Sequence, residues 1–118
     1  MTIPVLALIL LTSDIGWSHA YLVRSVPARR AILANPPARV QLWFNERLEP
    51  EYSFLSVWNA EGARVDAEDV LVGLEDATKL SVGLPPVPAG TYTVKFRVLS
   101  VDGHVVQDQF VFTVRKRA

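Results

Sequence analysis

Apolar and polar residues alternate through Arg39-Val40-Gln41-Leu42-Trp43-Phe44-Asn45. Val40, Leu42 and Phe44 fall on one side and Arg39, Gln41, Trp43 and Asn45 on the other, the two-residue period of a strand with one buried face. Residues 54–59 repeat the pattern, with Leu55 and Val57 opposite Phe54, Ser56 and Trp58. Residues 91–99 do so again: Tyr92, Val94, Phe96 and Val98 point inward while Thr93, Lys95 and Arg97 point out. In residues 105–114, Phe110, Phe112 and Val114 share one face. Shorter extended runs are expected at 20–25, 70–74 and 79–84, and Arg64-Val65 resumes as a hairpin after the turn Ala60-Glu61-Gly62. Val26-Pro27, Asn35-Pro36-Pro37, the Pro85–Gly90 connection and Asp102-Gly103 interrupt the runs. Residues 28–34 carry too little periodicity to assign.

About six to eight short strands, with no capped helical stripe, predict an all-β domain. The expected form is a small antiparallel Greek-key β-sandwich, with a small barrel as the alternative. The inward aromatic residues are read as core, because a chain of this size needs that burial to outweigh its ordering entropy. Trp43 and Trp58 point away from it, toward a second layer, the site or a contact surface.

Residues 3–11 form an apolar run broken only by Pro4. Nine residues are too few to span a bilayer but suit the core of a secretory leader. The segment before them, Met1-Thr2, lacks Lys or Arg. Gly16 and Ser18 supply small residues for cleavage before His19; a rival cut after Ala20 would remove that histidine. The expected organisation is a secretory leader at 1–18 and one β domain at 19–118. No other stretch is long and apolar enough to cross a membrane.

Formal charge balances at 12 basic and 12 acidic residues, and no Lys/Arg cluster of the kind nucleic acids need is present. Arg115-Lys116-Arg117 reads as a solvated chain end, and Glu46, Glu49 and Glu51 as a solvated edge. No nucleophile, base and orienting acid are set out as a triad, and the glycines lack phosphate-loop spacing. No catalysis is expected.

There is no cysteine, and the single methionine is Met1, so thiolate and thioether metal sites are excluded from the exported chain. Its two histidines are His19 and His104. A histidine at the mature terminus offers an α-amine and an imidazole that close one chelate ring. Asp102-Gly103-His104 places a carboxylate and a second imidazole in a tight turn; the alternative is an ordinary β-turn with a surface histidine. Together they give three nitrogens and one oxygen, a set that suits tetragonal Cu(II). Ser100 is placed to support the turn or its ligands.

The sequence resembles the CopC/PcoC family of periplasmic copper-resistance proteins. The resemblance rests on His19-Ala20-Tyr21-Leu22, Ser25-Val26-Pro27-Ala28, Val40-Gln41-Leu42-Trp43-Phe44-Asn45-Glu46, Leu84-Pro85-Pro86-Val87-Pro88-Ala89-Gly90-Thr91-Tyr92-Thr93-Val94, Ser100-Val101-Asp102-Gly103-His104 and Phe110-Val111-Phe112-Thr113-Val114. It implies an immunoglobulin-like or cupredoxin-like module with one Cu(II) per mature chain, held by the amino terminus, His19, Asp102 and His104. It also implies a protein that binds or carries copper, with an inner-membrane copper transporter as partner; a monomer is expected, and the alternatives are a metal-independent immunoglobulin-like interaction module and a copper oxidase built on the amine–imidazole chelate. Two departures stand out. Some relatives carry a methionine-rich Cu(I) loop, for which this chain has no methionine and no third histidine after the leader. Ala28-Arg29-Arg30-Ala31 replaces a turn that usually contains a small or acidic residue and a glycine.

Overall fold

The computed structural model describes residues 20–116. Among the described residues eight strands run in chain order: β1 (Leu22–Val26), β2 (Ile32–Leu33), β3 (Arg39–Phe44), β4 (Phe54–Trp58), β5 (Leu71–Val72), β6 (Lys79–Gly83), β7 (Gly90–Leu99) and β8 (Val105–Val114). One 3-10 turn, Pro50–Tyr52, precedes β4. The strands form two four-stranded sheets, β1-β3-β6-β5 and β2-β8-β7-β4. Only β5–β6 and β7–β8 are direct hairpins; every other connection crosses between sheets. The edges are not joined into a closed cylinder, so the architecture is the sandwich rather than the barrel.

The alternation read from sequence gives the core directly. Val40, Leu42 and Phe44 of β3 and Leu80 and Val82 of β6 are buried against Leu55, Val57, Val94, Phe96, Val98, Phe110, Phe112 and Val114 of the facing sheet. Phe44 meets Phe96 edge-on at 5.5 Å between centroids, and Tyr92 stacks on Phe112 at 5.5 Å. Each such side chain contributes roughly 1.5–3 kcal/mol of burial.

Within the expected β-sandwich, three details differ from the simple alternation. The sandwich is not wholly antiparallel: β2 pairs parallel with β8, Ile32 opposite Thr113 and Leu33 opposite Val114. It lies in the stretch left unassigned, because two residues show no period. Its position is set by a turn in which Arg30, at φ 65°, donates its N–H to the Val111 carbonyl at 2.7 Å. This is the segment in which an arginine pair replaces the expected glycine, and Arg30 takes the left-handed conformation that glycine adopts without strain. The 70–74 run shortens to Leu71–Val72, pairing with Leu80 and Ser81. The hairpin expected at Arg64-Val65 is present as a single bridge, Trp58 to Arg64, closed by the Val65 N–H on the Val57 carbonyl at 2.8 Å.

Candidate metal centre

The longest hairpin, β7–β8, is paired without interruption from Gly90–Val114 to Leu99–Val105. It delivers residues 100–104 to one end of the sandwich. Ser100 donates its N–H to the His104 carbonyl at 2.9 Å, and Gly103 donates to the Ser100 carbonyl at 2.9 Å. Gly103 has φ +94°, which an L side chain rarely adopts, although nothing lies within 4 Å of where a Cβ would stand. Gly103→Ala should therefore act through backbone strain alone, costing about 1–2 kcal/mol. Urea denaturation measures this; an unchanged midpoint would contradict the strain assigned to the turn.

Ser100 is buried under the turn. Its hydroxyl donates to Asp102 Oδ1 and accepts the His104 N–H at 3.2 Å. Asp102 Oδ1 is also 3.1 Å from His104 Nδ1. The Ser100 hydroxyl first, and the His104 imidazole second, hold the Asp102 carboxyl below the usual carboxylate range. An Nδ1–H donated to that carboxylate makes Nε2 the ring's acceptor nitrogen. The two side chains remain about one-third exposed, so an ion can reach them from solvent. Sequence reasoning placed Asp102 and His104 together, and the structure does bring them together.

His19 lies outside the described residues. What is described is the chain just after it. Ala20 is buried, Tyr21 donates its N–H to Asn45 Oδ1 at 2.5 Å, and Asn45 returns its N–H to the Tyr21 carbonyl at 3.2 Å. Two residues on, the Arg47 carbonyl accepts the Val101 N–H at 2.9 Å; Leu48 bridges Ser100, and Glu49 N–H binds the Leu99 carbonyl at 2.8 Å. One connection, residues 45–49, thus holds the start of the described chain and the Asp102–His104 turn at the same end of the molecule. Asn45 was read only as the outward end of a strand; its anchoring role had no sequence signal beyond its place after Phe44. Among the described residues no three His, Cys, Asp or Glu side chains gather into a metal set.

Trp43 and Trp58 sit on strands and not in this turn. Trp43 is flanked on its sheet's outer face by Arg24 at 4.3 Å and Lys79 at 5.2 Å. Trp58 lies under Lys95 at 5.0 Å and donates its indole N–H to Ser56 Oγ at 2.8 Å. Both are second-layer residues on opposite outer faces.

The fold and this turn define a two-sheet β-sandwich that presents a serine-supported Asp–His pair at one end. The chain belongs to the CopC domain family, whose model matches residues 22–115. It is 30% identical over 102 residues to copper transport protein CutJ of Bacillus subtilis, a match that covers 86% of this chain but only 19% of CutJ. It is 30% identical over 105 residues to copper resistance protein C of Escherichia coli, covering 83% of this chain and 82% of that protein. The crystal structure of CopC from Methylosinus trichosporium OB3b superposes with a TM-score of 0.78 at 35% identity, covering 85% of this chain and 97% of that one.

Proposed function

We propose that this chain is a periplasmic Cu(II)-binding protein of copper homeostasis and resistance, carrying one ion per mature chain without turnover. Its ligands are the α-amine and imidazole of His19, the imidazole of His104 and the carboxylate of Asp102. The observation that carries this reading is the Asp102–His104 pair, oriented by buried Ser100 at the end of the sandwich where the described chain begins. Tyr21 and Val101 are bonded to backbone or side-chain atoms of residues two apart. Two further residues of extended chain reach about 7 Å, which supports a terminal His19 meeting His104. Two family relatives are named for copper transport and copper resistance.

Nitrogen and oxygen donors without thiolate or thioether favour the oxidised ion. The Asp102 carboxylate fills a position that oxygen chemistry at an amine–imidazole copper would need open, which supports carriage rather than oxidation. Export is supported by the apolar run at 3–11 and the small residues before His19. A monomer handing copper to an inner-membrane transporter completes the reading.

Titration of the exported protein with Cu(II), followed by electron paramagnetic resonance, should reach a sharp endpoint at one equivalent with a tetragonal signal. Ascorbate should then release the metal. Protons compete at the nitrogen donors, so affinity should weaken as pH falls; Asp102 stays ionised through that range because its carboxyl is held low. No endpoint at one equivalent would sink the reading.

A further inference from the structure

The outer face of the β2-β8-β7-β4 sheet is not featureless. Strand register places Phe54, Arg97 and Gln107 in one row across three strands and Ser56, Lys95 and Gln109 in the next. These residues, with Leu55, Val70 and Phe96, line a groove of about 520 Å³, within the range of ligand-sized clefts. Phe54, at its β4 end, is 56% exposed, an apolar surface left open to water. At its centre two cations stand side by side. Lys95 lies over the Trp58 ring, and among the described residues neither Lys95 nor Arg97 has a carboxylate within ion-pairing distance. Asp108 and Arg64 also line the groove, but each is already paired, Asp108 with Arg29 at 3.3 Å and Arg64 with Asp66 at 2.8 Å.

We propose that this groove docks an extended acidic segment of a partner protein. The charge pattern selects the occupant. Lys95 and Arg97 are alternate residues of one strand, about 7 Å apart, and an extended chain presents alternate carboxylates at the same repeat. Gln107 and Gln109 each offer a donor and an acceptor, which suits a peptide backbone. Phe54 provides an apolar seat for a side chain between the acids. A recess with amide walls fits an inserted chain better than the flat surface of a bilayer. Arg97 and Gln107 each lie three residues from the turn that carries Asp102 and His104, about 10 Å along the strands. A segment seated here brings its protein beside that turn. Docking itself is independent of the copper reading; its use in metal transfer rests on it.

The test uses the exported protein and two capped hexapeptides, one alternating Glu with Val and one alternating Gln with Val. Amide chemical shifts locate binding. The acidic peptide should bind at least tenfold more tightly, perturb β4, β7 and β8, and lose its advantage in the K95Q/R97Q double variant. That variant should still take up one equivalent of Cu(II), which shows that it is folded and separates this inference from the metal site. Equal binding of the two peptides, shifts confined to other strands, or capture of phosphatidylglycerol vesicles in place of the acidic peptide would each overturn it.

Discussion

Replacing His104 with alanine should lower Cu(II) affinity by more than a hundredfold while leaving the fold intact. The imidazole is one of the three nitrogens proposed for the site, and the Ser100–Asp102 arrangement beneath it serves to aim it. Loss of a group that only orients a ligand costs about 10–100-fold; loss of the ligand itself should exceed that. The side chain is one-third exposed and fills no core position, so thermal stability without copper should barely change. Ser100→Ala is the informative companion. It leaves every proposed ligand in place but frees the Asp102 carboxylate, so affinity should fall within the smaller range. Competition titration against a chelator of known strength measures both. A His104→Ala protein with undiminished affinity would remove the turn from the site.

The largest effect on stability is expected at Asp66, far from that end. Its side chain is fully buried, yet it is charged. One oxygen accepts the Val57 N–H and Arg64 Nε, each at 2.8 Å, and the other accepts the Glu68 N–H at 2.8 Å. Burial pushes the Asp66 carboxyl up, but the Arg64 guanidinium and the two backbone donors outweigh it and hold the group below its ordinary value. Three residues on, Asp69 accepts the Gly83 N–H at 2.7 Å, while Ala67 N–H binds the Gly83 carbonyl at 2.9 Å. The segment thus fastens β4 of one sheet to β6 of the other. Asp66→Ala strands the Val57 and Glu68 donors and the Arg64 charge, and should cost about 3–5 kcal/mol, a large part of a small domain's stability.

The sign with pH follows from the lowered value. The carboxylate stabilises the fold in full above the unfolded pKa of about 3.9. That contribution is lost as pH falls through the lower folded value. Urea midpoints of the native protein should therefore drop below pH about 4 more steeply than those of Asp66→Asn. Val57 pairs with Val94, five residues from Leu99, about 16 Å away along the strand. Folded Asp66→Asn should accordingly keep its copper affinity. Equal acid sensitivity in both proteins would contradict the role assigned to Asp66.

Long strands were legible because each has enough residues for its period to show. The inward sets of β3, β4, β7 and β8 are those that alternation marks. The two-residue strands β2 and β5 have no period; crossing loops and their neighbours' hydrogen bonds place them. Asp66 was invisible for a different reason. A charged residue in a polar stretch reads as solvated, and only the folded chain shows the donors converging on it. At the candidate metal centre, Ser100-Val101-Asp102-Gly103-His104 is local, so its spacing and glycine expose its geometry. The link from Tyr21 through Asn45 to Arg47 and Val101 joins three distant parts of the chain, and no local pattern announces it.

In the proposed site, export completes the copper ligands by freeing the amino group of His19. Native mass spectrometry of the exported protein, with and without one equivalent of Cu(II), tests it most directly. A chain beginning at His19 that gains one copper is expected. A chain that begins at Tyr21, or keeps its leader, and still binds one copper as tightly would contradict it, as would a chain beginning at His19 that binds none.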